Sequence, residues 1–348
     1  MAYRGVKEDF RTLARGGTPS RTPFFAISQE FDARLYGVTY AEYLSSADTL
    51  FRAQAKAVRE LDYDWVLFQL HDGLEFEPLG LEVRGEGNIL PGIFSHAPLT
   101  AEAVAGLRVP DFASVPKVRV MLEAIRRTKA EFGDDVIVLG RIAAPFTAAV
   151  LCHGIENSMM ALSDERGAEL LLRTTEFFSR LEWAFAEEQA AWGADGVWYG
   201  DCLASSKLIS LPMHRRVACG PNVELIGKLK SRGLAVFYEP ADDHPEFMKV
   251  YAEEGIDAIN VGIALDLSAA KAAIGGRVGV MGNLDAIRFL QHGTPETVTA
   301  EVERLVGIGN AGGGYAFCTD SIPREAKTEN MRAMAAAVRR CGKQERSR

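Results

Sequence analysis

Long apolar runs and paired cysteines are both missing from this sequence of 348 residues. No run approaches the roughly 20 apolar residues of a membrane-spanning helix, and the N-terminal segment MAYRGVKEDFRTLARGG has no apolar core like that of a secretory signal. We therefore expect a cytoplasmic protein with no membrane partner. The cysteines occur singly, with no CxxC pair, which favours neither a disulfide framework nor a zinc ribbon. They are Cys152, Cys202, Cys219, Cys318 and Cys341.

Common phosphate-binding and hydrolase motifs are also missing. The sequence has no GxxxxGK(S/T) or GxGxxG loop, and its glycine-rich stretch GNAGGGYAF precedes an apolar run instead of opening a helix. It has no GxSxG nucleophile elbow. The formal net charge of −8 argues against a nucleic-acid partner. Nucleotide binding and serine-hydrolase chemistry are therefore not indicated.

The sequence does contain eight short runs of apolar, β-branched or aromatic residues, and helical patterns separate most of them. This alternation predicts an α/β protein whose strands close into a (β/α)8 barrel, with residues 1–348 forming one domain. Helix signals support this prediction. An apolar helical stripe over 163–192 has Asp164 and Glu165 in its first turn, where the helix dipole favours acids, and Thr294 caps a helix that starts at Pro295. The runs are TPFFAIS, DWVLFQLHD, VIVLGR, GVWYGDC, LAVFYEP, DAINVG, VGVMGN and GYAFCTD.

One connection is much longer than a helix and two loops require. Residues 73–134, between the second and third predicted strands, are rich in Gly and Pro in their first part and end in a helical pattern. Long insertions in compact domains are usually functional, so we expect a cap over the C-terminal face of the barrel. The basic stretch 340–348 is expected to be a flexible tail.

Polar residues follow the predicted strands, and in this fold the strand ends meet on one face, where catalysis takes place. Glu239 and Asp201 are the acids at two strand ends, and Asp72 is favoured over His71 because adjacent strand residues point to opposite faces. Glu239 and Cys318 could share one Zn²⁺, with Asp201 or a histidine completing the set. The full candidate set is Gln29, His71, Asp72, Arg141, His153, Asp201, Tyr238, Glu239, Asn260, Asn283 and Cys318.

The order of several segments resembles the uroporphyrinogen decarboxylase superfamily, which includes corrinoid-linked methyltransferases. The resemblance runs from about Thr22 to Arg339 and rests on LFQLHDGLEFEPLGLEV, APFTAAVLCHG, MGNLD, GTPE and the GGGY strand. True decarboxylases carry an arginine-rich stretch after the first strand, whereas FFAISQEF stands here. SSKLIS and HDGLEFEPLG are closer to the methyltransferase branch. In that branch zinc is held by a His-x-Cys and a later Cys, which correspond here to Glu239, Ala241 and Cys318.

The resemblance implies a methyltransferase that moves a methyl group between a small methoxy or methylamine-type compound and a corrinoid on a carrier protein, with zinc as a metal cofactor at Glu239 and Cys318. A homodimer is one assembly we consider. Alternatives are a lyase acting on a small acid, with Asp201 or Asp72 as proton donor, and a non-catalytic binding protein. On the leading hypothesis Asp201, Glu239 and Asp72 are catalytic, and the substrate contacts are His71, His153, Arg141 (the carboxylate anchor of the lyase alternative), Tyr238, Asn260 and Asn283.

Overall fold

A parallel sheet of eight strands dominates the computed structural model, which describes residues 3–342. The sheet order is β1-β10-β9-β8-β7-β6-β5-β2, and a backbone hydrogen bond from Asp64 N to Phe24 O brings its two ends together. This nearly closed sheet with surrounding helices is the expected (β/α)8 barrel. The strands are β1 (Phe24–Phe25), β2 (Trp65–Leu67), β3 (Val83–Arg84), β4 (Gly92–Ile93), β5 (Ile137–Ala143), β6 (Gly196–Gly200), β7 (Ala235–Glu239), β8 (Ala258–Asn260), β9 (Gly279–Leu284) and β10 (Tyr315–Thr319).

Aromatic and aliphatic side chains fill the inside of the barrel. Phe25 stacks on Trp65 with 4.5 Å between ring centroids, and Trp65 meets Trp198 edge to face at 5.6 Å. Phe10, on the first helix, stacks on Phe237 at 4.3 Å and closes the N-terminal end. Alternate strand residues point inward, so this inner cluster fixes which residues near the strand ends also face the axis.

Two helices begin where the sequence indicates. Asp164 accepts a hydrogen bond from Gly167 N at the start of α9, and the Thr294 side chain caps α14 with Pro295 in its first turn. Both helix predictions are confirmed. Between residues 3 and 342 the α-helices are α1 (Val6–Leu13), α2 (Gln29–Tyr36), α3 (Tyr40–Ser45), α4 (Ala47–Leu61), α5 (Ala101–Gly106), α6 (Pro116–Phe132), α7 (Pro145–His153), α8 (Ile155–Ala161), α9 (Glu165–Ala191), α10 (Leu211–Val217), α11 (Cys219–Ser231), α12 (Pro245–Tyr251), α13 (Leu267–Ile274), α14 (Pro295–Asn310) and α15 (Thr328–Cys341).

The insertion 73–134 contains the antiparallel hairpin β3–β4, helix α5 and the barrel helix α6. The part of the insertion that precedes α5 is attached to the end of α7 by a hydrogen bond from Ala97 N to Cys152 O. Leu90 and Pro91, in the hairpin loop, line a cavity together with residues that follow β1 and β2. The hairpin therefore reaches the C-terminal ends of the strands, which supports the predicted position of the cap.

Two further predictions concern membrane-spanning helices and the C-terminal tail. None of the helices within residues 3–342 combines the length and the apolar character needed to span a bilayer. Of the predicted tail 340–348, Arg340 and Cys341 complete α15, and residues 343–348 lie outside the described part of the chain.

Candidate functional site

The C-terminal ends of four strands bring polar side chains to the mouth of the barrel. Glu239 lies two residues beyond the inward-facing Phe237, and Asn260 has the same relation to Ala258. Asn283 follows Met281 in the same way, and Cys318 belongs to the inner cluster itself. Because every second residue of a strand points to the same side, these four side chains face the axis.

Glu239 is the acid at the centre of this group. Its carboxylate accepts hydrogen bonds from the side-chain amide of Asn260 and, at 2.8 Å, from Ala241 N. Ala241 has a φ of 48°, and this left-handed turn carries its N–H back to the carboxylate. Burial raises the pKa of Glu239 to about 7, although both hydrogen bonds act against the rise. The carboxyl group therefore exchanges its proton near neutral pH.

Cys318 lies below Glu239, inside the barrel. It is fully buried, and its Sγ donates to Thr319 O at 3.5 Å. Burial raises the pKa of the Cys318 thiol well above its ordinary value, and the charge of Glu239 adds to the rise. A metal ion bound here would have to displace the thiol proton, because the thiolate is the form that binds.

A catalytic zinc ion needs three protein ligands, and the mouth does not provide them. Asp201 points away from Glu239 and Cys318, and His153 Nδ1 is hydrogen-bonded to Ala97 O at 2.9 Å. Among residues 3–342, a grouping of three His, Cys, Asp or Glu ligand atoms occurs only elsewhere, at His214. The donor set at Glu239 and Cys318 therefore does not fit zinc.

Arg141 is the buried cation at this end of the barrel. It donates to Glu75 and, at 3.1 Å, to Asp72. Burial alone would lower the pKa of Arg141, but the charges of Glu75 and Asp72 raise it above its ordinary value. Glu182 lies close by, fully buried, and burial raises its pKa as well. Arg141 is thus paired with acids of the chain itself.

His71 and Asp72 lie beyond the end of β2, where the alternation of strand residues no longer applies, and both line a cavity at the mouth of the barrel, the mouth cavity. His71 is buried, its Nδ1 accepts a hydrogen bond from Gly73 N at 3.2 Å, and it lines the mouth cavity. Burial and the nearby Arg141 lower the pKa of His71 to about 4, so the imidazole is neutral at pH 7. The Asp72 side chain is 59% exposed and also lines the cavity.

Asp201 lies outside the barrel axis, between the strands and the helices. Its carboxylate accepts from Thr147 Oγ1 at 2.8 Å, Asn222 Nδ2 at 2.9 Å and Tyr238 Oη at 2.6 Å. Burial raises the pKa of Asp201 to about 6. Its backbone N–H donates to Glu239 O at 2.8 Å, so this acid fixes the strand end that carries Glu239. Tyr238, a predicted substrate contact, is fully buried in the same outer layer.

Three other candidate residues, Gln29, Asn283 and His153, form hydrogen bonds with backbone groups. Gln29 Nε2 donates to Leu67 O at 3.2 Å. Asn283 Nδ2 donates to Gly262 O at 3.1 Å and to Leu265 O at 2.8 Å. His153 is buried at the end of α7, and its Nε2 has no hydrogen-bond partner among the described residues. These side chains therefore hold the loops around the mouth.

Glu75, Asn222 and Glu254 belong to these networks, and none of them is among the site residues predicted from the sequence. Asn222 is the most connected of them: it donates to Asp201 and Glu254 and accepts from Tyr199 Oη at 2.9 Å. It lies within a helix, where a single asparagine has no distinctive pattern. Glu75 could have been noticed as the third acidic or basic residue of HDGLEFE, directly after a predicted strand.

Cavities occur at both ends of the barrel. The one at the mouth has a volume of about 180 Å³ and is lined by side chains that include Gln29, Tyr40, His71, Asp72 and Leu90. A larger one of about 780 Å³ opens at the N-terminal end, beside α1. Barrel enzymes use the C-terminal face for chemistry, so the smaller cavity is the substrate-site candidate despite its size.

Comparison with known proteins agrees with this architecture. The chain is 22% identical over 56% of its length to methylcobamide:CoM methyltransferase MtbA of Methanosarcina acetivorans, and that match spans 56% of the relative. It is 28% identical to a uroporphyrinogen decarboxylase of Methylibium petroleiphilum, with 77% of this chain and 74% of the relative covered. A solved methyltransferase structure from Methanosarcina mazei superimposes with a TM-score of 0.85 at 18% identity, covering 96% of this chain and 98% of the other.

The family assignment rests on a longer match than any of these sequence pairs. The family model described as uroporphyrinogen decarboxylase (URO-D) matches residues 6–341, nearly the whole chain. This confirms the resemblance found in the sequence, and the chain belongs to the uroporphyrinogen decarboxylase family.

Proposed function

We propose that this protein is a methyltransferase that takes a methyl group from a small methylated oxygen or nitrogen compound and passes it to a corrinoid held by a carrier protein. The observation that carries the proposal is Glu239, an axis-facing carboxyl group whose pKa is raised to about 7. The similarity to methylcobamide:CoM methyltransferases supports methyl transfer as the reaction class.

Glu239 supplies the proton that such a reaction needs. The bond between the methyl carbon and its oxygen or nitrogen breaks, and the heteroatom leaves more readily when a proton reaches it at the same time. The reduced corrinoid, when bound, supplies the nucleophile that accepts the methyl group. Asn260 and Ala241 N hold the Glu239 carboxyl group in place, and no step depends on zinc.

Glu239 is not among the residues that line the mouth cavity, and on this proposal the lining side chains, at the same face of the barrel, orient and select the substrate. The mouth cavity of about 180 Å³ suits a compact molecule, whereas a tetrapyrrole with its carboxylate arms is several times larger. Neutral His71 and exposed Asp72 provide polar contacts at the cavity wall. Asp201 acts as a positioning residue, because its backbone N–H and its buried carboxylate fix the end of β7.

The lyase alternative has less support from the structure. It requires Arg141 to bind the carboxylate of a substrate, but Arg141 already contacts Glu75 and Asp72 and is 5% exposed. Displacing either acid would leave a carboxylate without its cation in a buried position, which is costly.

The test is methyl transfer to cob(I)alamin, followed by absorbance, with a panel of methoxy compounds and methylamines. The wild type should transfer from at least one donor. Glu239→Gln should lower the rate by about 10²- to 10⁴-fold, the usual contribution of a general acid. Glu246→Gln, which removes an exposed carboxylate paired with Lys249, is the matched control and should leave the rate unchanged.

The pH profile distinguishes this mechanism from others. Because the protonated form of Glu239 is the donor, the wild-type rate should fall about tenfold per pH unit above pH 7. Release of CO2 from a small acid, with no methyl transfer from any donor, would contradict the proposal.

A further inference from the structure

A second cluster of ligand-type side chains lies outside the barrel mouth. His214 is on α10, Cys219 is the first residue of α11, and Glu254 is in the segment that leads into β8. Each offers one ligand atom, and the three atoms lie within 4.8 Å of one another. We call these three residues the outer cluster. Within residues 3–342 it is the only set of three or more such atoms at this spacing.

The ring of His214 is oriented as a metal ligand would be. Its Nδ1 lies 2.8 Å from Ala204 O, and because a carbonyl can only accept, Nδ1 carries a proton. Nε2 is therefore the nitrogen that can bind an ion. Metal-binding histidines usually donate their other ring N–H to a carbonyl or carboxylate in this manner.

The carboxylate of Glu254 is oriented in a similar way. Its Oε2 accepts from Asn222 Nδ2 at 2.9 Å, which turns Oε1 toward His214 Nε2, also at 2.9 Å. His214 is fully buried and Glu254 is 3% exposed, whereas Cys219 is partly exposed. The three donors thus converge from the protein side, and the solvent side of Cys219 leaves a path for an ion and a water molecule.

We propose that the outer cluster binds one Zn²⁺ through His214 Nε2, Cys219 Sγ and one oxygen of Glu254. Nitrogen, thiolate and carboxylate are the ligands that zinc takes in proteins, and bond lengths of about 2.0–2.3 Å place ligand atoms about 3.5 Å apart in a tetrahedron. The ion replaces the protons that His214 Nε2 and Cys219 would otherwise share with Glu254. Two protons are released to solvent, and no redox step is involved.

The position of the outer cluster gives the ion a structural role. It joins the start of α11 and the helix before it to the segment entering β8, two parts of the chain separated by strand β7. Through Asn222, which contacts both Glu254 and Asp201, it also stabilises the network behind β7. The outer cluster supplies no reacting group to the proposed methyl transfer, because none of its residues faces the barrel axis.

Metal analysis of the full-length protein tests the proposal. The protein is stripped with a chelator, reloaded with Zn²⁺ and desalted, and bound zinc is measured by mass spectrometry against a competing chelator. The wild type should retain one equivalent. Cys219→Ser and Glu254→Gln should each weaken zinc binding by more than about 100-fold, and Asn222→Ala by about 10- to 100-fold, the range for groups that orient a ligand. Glu254→Gln keeps a hydrogen-bond acceptor for His214, so its fold is expected to persist.

Matched controls locate the ion. Glu253→Gln, which removes the exposed neighbouring carboxylate paired with Arg277, and Cys318→Ser, in the barrel, should both retain zinc. Loading with Co²⁺ gives a second readout, because a thiolate–cobalt absorption band should appear in the wild type and vanish in Cys219→Ser. Zinc lost in Cys318→Ser but retained in Cys219→Ser would overturn the proposal, and so would wild-type protein that binds no zinc.

Discussion

Replacing Glu239 by glutamine should change how the stability of the protein depends on pH. A carboxyl group whose pKa is raised in the folded state binds more protons there than in the unfolded chain. For Glu239 the pKa rises from 4.5 to about 7, so the folded state loses stability as the pH rises through this window. Glutamine does not ionise, and the variant should not show this part of the loss.

The size of the effect follows from the pKa. Each unit corresponds to about 1.4 kcal/mol, so complete ionisation of Glu239 could cost about 3 kcal/mol. The side chain is partly exposed at the mouth, and solvent screening reduces the expected value to about 2 kcal/mol. The glutamine amide has only one acceptor oxygen, so it cannot accept from both Ala241 N and Asn260 Nδ2 as the carboxylate does, a loss of about 1 kcal/mol that does not depend on pH.

The measurement is urea unfolding at pH 5 and pH 8.5, with stability compared between variant and wild type at each pH. Relative to the wild type, the free energy of unfolding of Glu239→Gln should increase by about 2 kcal/mol from pH 5 to pH 8.5. Other buried acids, such as Asp201, titrate in both proteins and cancel in the difference. Glu246→Gln is the control: its hydrogen bond with Lys249 lowers the pKa of Glu246, so it stays ionised throughout this range. A difference that is the same at both pH values would refute the assignment of a raised pKa to Glu239.

Three further changes test other parts of the structure. Arg141→Met should destabilise the protein by about 3–5 kcal/mol in urea unfolding, because Glu75 would stay buried without its cation, and adding Glu75→Leu should recover much of the loss. Trp198→Ala should cost about 3–5 kcal/mol by the same assay, because it opens a cavity inside the barrel. Tyr238→Phe removes a donor to Asp201 and should raise the pKa of Asp201 above about 6, as measured by carboxyl NMR titration.

The barrel and the position of its mouth follow from local patterns. Short apolar runs separated by helical stripes predict eight strands, and the two-residue period of a strand fixes which side chains face the axis. This rule is enough to place Glu239, Asn260 and Cys318 together. Applied strictly, it would also have placed Asp201 outside the axis, since Trp198 points inward and Asp201 lies three residues further on.

The hydrogen-bond and ion-pair networks around the mouth could not be derived from strand and helix periodicity. Arg141 looks like a free anion-binding group in the sequence, and only the path of the loop after β2 shows that Glu75 occupies it. Asn222 donates to Asp201, 21 residues away in sequence. Glu254 forms a hydrogen bond with His214, 40 residues away. Such contacts depend on how helices pack onto the sheet, which neither periodicity nor capping specifies.

On the proposed function, Glu239 and Ala241 account for a difference between this chain and zinc-containing methyltransferases. The resemblance aligns these residues with the His-x-Cys of a zinc site, and here one position supplies a carboxyl group and the other a backbone N–H that binds it. Zinc activates a thiol by stabilising its thiolate, which is useful when sulfur accepts the methyl group. A methoxy compound or an unprotonated methylamine has the opposite requirement, because its oxygen or nitrogen must gain a proton as the methyl group leaves. A carboxyl group with a pKa near 7 can supply that proton, and restoring the metal ligands with Glu239→His and Ala241→Cys should therefore abolish transfer from such donors while creating zinc binding at the mouth.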